Sequence, residues 1–139
     1  MLTVDEFVEN FEFLDDWDAR YAYLVELGEA LAPLDEALRT EENRVQGCIS
    51  KVWVAALADP HDPTCVRYVG DCDTSIIKGV LAVLIELLSG RTPQEIEAVD
   101  VDALFDRIRL AENLSPNRHF GIYAIVELMK AQARAFGKR

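Results

Sequence analysis

Cys48, Cys65 and Cys72 are the residues of this chain best suited to covalent chemistry. A thiolate is both a strong nucleophile and a soft metal ligand, so the charge and exposure around each cysteine decide its use. Cys48 stands in Val45-Gln46-Gly47-Cys48-Ile49-Ser50-Lys51-Val52-Trp53, where a helical pattern gives way to an extended one. Gly47 can turn the chain sharply or take positive φ, which suits a cysteine at a loop tip and supplies a hinge. Arg44 and Lys51 flank the Cys48 site and could favour the anion. A blander reading stays open, because free cysteine often serves as a small buried hydrophobe.

Asp71-Cys72-Asp73 is a second cluster, just ahead of a very apolar segment. Two carboxylates and a thiol could bind a metal, or they could form a turn and helix cap, the use that aspartate favours at helix N-termini. The flanking negative charges should raise the Cys72 pKa and make it a poor nucleophile. Cys65 is expected to begin a strand seven residues earlier; an odd separation points the two thiols to opposite faces and argues against a joint site. His61 and His119 each lack a second histidine three or four residues on, so both read as solvated or capping groups. Arg118 falls in the first turn of an expected helix, where the dipole disfavours a cation. It calls for a carboxylate or protein partner, although a simple exposed arginine costs little.

The elements that must hold these residues are read from periodicity. The chain has 139 residues, half of them hydrophobic, which fits one domain, 1–139, with a real core. Val4, Phe7, Phe11 and Leu14 share one helical face, and Trp17, Tyr21, Leu24 and Gly28 continue after a break with Asp16 as N-cap. Pro33 is expected to open a short helix carrying Leu34 and Leu38. Lys51 to Leu57 and Val66 to Gly70 read as antiparallel strands joined by the Asp59-to-Pro63 turn, with a further short strand around Arg44 to Gln46 left open. Ser75 to Ser89 is apolar nearly all round and must be a buried central helix, capped by Asp73, Thr74 or Ser75 and ended by Gly90. Thr92-Pro93 with Glu95 forms a capping box, Asp102 to Leu110 reads as helix, and Ser115-Pro116 opens the last one. The fold class is α+β: a small antiparallel sheet flanked by helices.

Composition narrows the partners. Fourteen basic against 25 acidic residues give a net charge of −11, which argues against nucleic acid and against an anionic membrane surface. The longest apolar run, Val80 to Ile85, is far short of the ~20 residues needed to span a bilayer, and no secretory signal opens the chain. The expected location is the cytoplasm. Three cysteines without a CxxC pair suit neither a disulfide framework nor a common zinc spacing.

Five blocks resemble the SufE family, including its CsdE-like relatives, in order and over nearly the whole chain. They are WDARYAYLVELG (Trp17 to Gly28), NRVQGCISKVW (Asn43 to Trp53), GDCDTSIIKG (Gly70 to Gly79), GRTPQEI (Gly90 to Ile96) and LSPNRHFG (Leu114 to Gly121). The resemblance implies an α+β fold shared with IscU-type scaffolds and a sulfur-accepting role for Cys48. That cysteine would lie on a loop, sheltered in an apolar pocket until a cysteine desulfurase docks. Asp73 and Arg118 fall at positions tied to loop conformation and partner activation. The implied partners are a SufS-type desulfurase and a downstream iron–sulfur assembly scaffold, with the protein a monomer or weak homodimer. It would need no cofactor of its own, since pyridoxal phosphate belongs to the desulfurase. Cys72 departs from the serine common in the family. It leaves room for an IscU-like metal or cluster scaffold built on Cys48, Cys72 and Asp73, or for a module that activates its partner without carrying sulfur.

Overall fold

The computed structural model describes residues 3–47, 50–114 and 116–138; the side chains of residues 4, 111 and 116–119 fall outside the description. Helix α1 (Val4–Phe13) starts at Thr3, whose hydroxyl accepts the Glu6 N–H. It ends at Leu14, which turns extended as the C-cap and so leaves the helical face expected of it. Helix α2 (Trp17–Glu29) starts where the sequence says, with the Asp16 carboxylate accepting the Ala19 N–H at 2.8 Å.

Pro33 does not open a helix. A single 3-10 turn, Glu36–Leu38, begins instead after Asp35, whose carboxylate accepts the Ala37 N–H. A capping side chain satisfies an orphan donor, which the proline ring cannot do, so the helical start moves to the aspartate.

Strands β1 (Val52–Ala58) and β2 (Val66–Cys72) pair antiparallel, Val52 opposite Cys72 and Ala58 opposite Val66. The turn between them is tied by Asp59, which accepts from His61 and Asp62 N–H, and by Asp62, which accepts from Thr64. The short extended piece expected near Arg44 is an isolated bridge to Trp53 on the other edge of β1. Val45 N–H donates to Val52 O at 2.9 Å and Val54 N–H to Asn43 O at 2.8 Å.

Helix α3 (Ser75–Leu88) is buried from Ile77 to Leu88 except at Lys78 and Glu86. It packs on α2 along one side and on β2 along the other, while the last helix covers β1. The α2–α3 contact is glycine-mediated: a Cβ on Gly79 would lie 2.0 Å from Leu24 O, and one on Gly28 2.9 Å from Gly79 N. Each large aliphatic side chain buried here is worth about 1.5–3 kcal/mol over its exposed state. Gly90, at φ +78°, turns the chain after α3.

Helix α4 (Pro93–Ala98) carries the full Thr92–Glu95 capping box. The single helix expected over Asp102 to Leu110 is two: α5 (Val101–Arg107) and α6 (Leu110–Asn113), separated at Arg109, which takes a left-handed φ of 54°. Asp100 caps α5, and burial of both Ile108 and Leu110 draws the chain through that sharp turn. Helix α7 (Pro116–Phe136) closes the fold, with Ile122, Ile125, Val126, Met129 and Ala133 buried along one face and Phe136 packed at its end. Its expected N-cap, Ser115, lies outside the described residues. No helix among the described residues is long and apolar enough to cross a membrane.

Candidate functional site

The residues on either side of 48–49 are anchored to the fold. On the upstream side, the Val45–Val52 hydrogen bond and the Arg44–Trp53 bridge tie Arg44 and Val45 to β1. On the downstream side, Lys51 and Asp73 exchange bonds: Lys51 N–H donates to Asp73 Oδ1 at 2.9 Å, and Asp73 N–H to Lys51 O at 3.1 Å. One residue along, the Ser50 and Thr74 hydroxyls lie 2.6 Å apart. Thr74 is the N-cap of α3 yet makes no capping bond to the helix, because its oxygen is turned toward Ser50 and Asp73 Oδ1. The start of the central helix thus holds the loop.

Gly47 has φ +82°, the conformation for which glycine is the easiest residue. A Cβ there would sit 3.8 Å from the Phe120 ring, so the start of α7 lies against the loop. Phe120 itself is 68% exposed, an unusual state for a large aromatic. Cys48 and Ile49 lie outside the described residues, as does the Arg118 side chain; Arg118 is two residues ahead of Phe120 on the first turns of α7. Of the four site residues read from the sequence, the structure describes Gly47 and Asp73, and it brings both to this loop.

Charges gather on the strand beneath. Trp53 lies under two guanidinium groups, Arg39 at 5.0 Å and Arg44 at 5.9 Å from its ring centre. Arg39 also meets Asp71 at 2.7 Å, and Lys78 reaches the other Asp71 oxygen at 3.2 Å. Burial pushes the Asp71 pKa up, but the bonds from Arg39, the Cys72 N–H and Lys78 outweigh it and hold the carboxyl below its ordinary value. Arg39 was not singled out by sequence reading, nor was the Ser50–Thr74 pair. Both contacts cross more than 20 residues, and no local spacing announces them.

The other cysteines sit elsewhere. Cys72, 6% exposed, closes β2 with its thiol against Thr74, donating to Thr74 O and accepting from Thr74 N–H. Cys65 precedes β2 and does not belong to it; its thiol donates to Asp62 Oδ2. Burial, followed by that bond and charge, pushes the Cys65 pKa up. Seven residues of strand, roughly 20 Å, separate the two. Among the described residues no three His, Cys, Asp or Glu side chains converge to hold a metal.

Fold and site together define a small α+β protein in which the residues flanking 48–49 are tied to β1 and to the start of α3. The model of the SufE Fe–S metabolism associated domain matches residues 5–133, and the chain belongs to the SufE family. An uncharacterised SufE-like protein of Rhizobium etli is 40% identical over 136 residues, spanning 96% of this chain and 91% of the relative. One from Rhizobium meliloti is 37% identical over 135 residues, 96% of each. The solution structure of a hypothetical protein from Thermus thermophilus superposes with a TM-score of 0.78 over 98% of this chain and 96% of that one. At 22% identity that likeness is one of fold.

Proposed function

We propose that this SufE-family protein accepts persulfide sulfur on Cys48 from a SufS-type cysteine desulfurase, activates that enzyme, and relays the sulfur toward iron–sulfur cluster assembly. The observation that carries the reading is the family match across residues 5–133, which includes the braced loop containing Cys48. The remaining thiols support it by their settings: one is buried against Thr74, and the pKa of the other is raised by burial and by Asp62.

The transfer is thiol exchange. The Cys48 thiolate attacks the outer, sulfane sulfur of the partner's cysteine persulfide. A new S–S bond forms on Cys48, the partner's S–S bond breaks, and the partner leaves as thiolate; the proton of the persulfide travels with the sulfane sulfur. No net oxidation occurs. Arg44 and Lys51, either side of the loop in a chain of net charge −11, would favour the attacking anion. Shelter of the loaded sulfur and its later delivery need the loop to move, with Gly47 as hinge and the Asp73–Lys51 bonds as the restraint to be released.

The test is transfer of radiosulfur from labelled cysteine through a SufS-type desulfurase. Wild-type protein should take up label that a thiol reductant removes, and Cys48→Ser should take up none. Undiminished labelling of Cys48→Ser would overturn the proposal, and stoichiometric zinc or iron in the purified protein would favour a scaffold.

A further inference from the structure

The geometry points to a second binding surface further along the same strand: we propose that the open half of the β1 edge receives an extended, basic segment of a partner protein by strand addition.

The hydrogen-bond directions along β1 follow from its neighbours. Lys51 and Asp59, both odd-numbered, bond across the hairpin, whereas Val52 and Val54 bond to the 43–45 segment on the outer edge. Backbone groups alternate along a strand, so Ala56 and Ala58 also direct N–H and C=O outward. The chain covers this edge only in part. Residues 43–45 serve Val52 and Val54, and the Gln132 side chain amide completes Val54 O at 2.8 Å. Beyond Val54 no described group bonds Ala56 or Ala58 on that side.

A groove of about 500 Å³ runs along this stretch. One wall is Asn43 and Leu38, and the other is α7 through Ala131, Gln132 and Ala135. The alanines of the lining, Ala55, Ala56, Ala131 and Ala135, leave room for larger side chains from an incoming strand. Exposed strand edges are ordinarily guarded by lysine, proline or a bulge. Ala55-Ala56-Leu57-Ala58 has none of these, and Leu57 is among the few exposed large hydrophobic residues. An edge that already pairs with one antiparallel segment, and is left unguarded beyond it, has the form of a strand-addition site.

Charge selects the occupant. Glu42 is the one charged residue lining the groove, and the chain carries −11 overall. A second copy would bring −11 against −11 and Glu42 against Glu42, so a segment bearing Lys or Arg fits better.

The probe is a synthetic heptapeptide of alternating lysine and valine, titrated into the full-length protein and followed by amide NMR and hydrogen exchange. Three comparison peptides replace lysine by glutamate, scatter prolines, or methylate alternate backbone nitrogens. The Ala56 and Ala58 amides should shift and exchange at least about tenfold more slowly with the lysine peptide alone. Ala56→Pro removes an outward donor at an edge position that tolerates proline, and should abolish the effect. Should that variant fail to fold, Ala135→Trp, which fills the groove from exposed α7 surface, should weaken binding about tenfold or more. Equal binding of the methylated peptide would reduce the effect to charge alone and overturn the proposal. So would shifts confined to other surfaces, or concentration-dependent dimerisation that protects the same two amides without peptide.

Discussion

Replacing Asp73 by Ala removes the acceptor for the Lys51 N–H and frees Thr74 from its carboxylate contact. The expected result is hydrogen exchange at the Lys51 amide about tenfold faster, with a loss of only about 1 kcal/mol in urea titrations, since the lost bond is exposed. Unchanged Lys51 exchange would show that Asp73 does not brace the loop. Asp71, two residues away, acts on stability through its charge. Its folded pKa lies below the unfolded value, so its contribution is fully present above about pH 4 and is lost as pH falls through the folded pKa. Asp71→Asn should therefore cost about 1–2 kcal/mol at pH 7, and the cost should shrink as pH falls below about 4, as read from thermal melts across pH. Sequence reading reached Asp73 as a cap and through the family resemblance. It could not reach the Lys51 bond or the Arg39–Asp71 pair, because both depend on which strands become neighbours.

Among the elements, α3 tolerates least. A methyl on Gly79 would meet Leu24 O and Leu24 C at 2.0 and 2.5 Å, backbone atoms that cannot swing aside. Gly79→Ala should cost at least about 3 kcal/mol by urea denaturation, although alanine is the better helix former by about 1 kcal/mol. A neutral result would mean that α2 and α3 can part without loss. The helix itself was plain in the sequence, since an all-round apolar segment has to be central. Capping chemistry was equally legible at Asp16 and at Thr92–Glu95, where one side chain and one backbone donor settle the matter locally. Pro33 and Arg109 were not. At Pro33 a neighbouring aspartate supplies a better start, and at Arg109 the buried Ile108 and Leu110 force a turn that no local preference would choose.

Across the whole molecule, the braced loop, the buried helix beneath it and the SufE-family match belong to one design. The loop is held at both ends by hydrogen bonds worth about 1 kcal/mol each, on a core whose burial terms are larger. Arg118→Ala, on the first turns of α7, is expected to slow sulfur transfer about tenfold or more while shifting stability by under about 0.5 kcal/mol. Parallel loss of both, in transfer assays and urea titrations, would make Arg118 a structural residue. The most direct test of sulfur acceptance at the loop is peptide mapping by mass spectrometry after incubation with a SufS-type desulfurase and cysteine. The expected result is a gain of about 32 Da, one sulfur atom, on the peptide containing Cys48, with Cys65 and Cys72 unmodified. Sulfur found on Cys72 while Cys48 stays bare would contradict it.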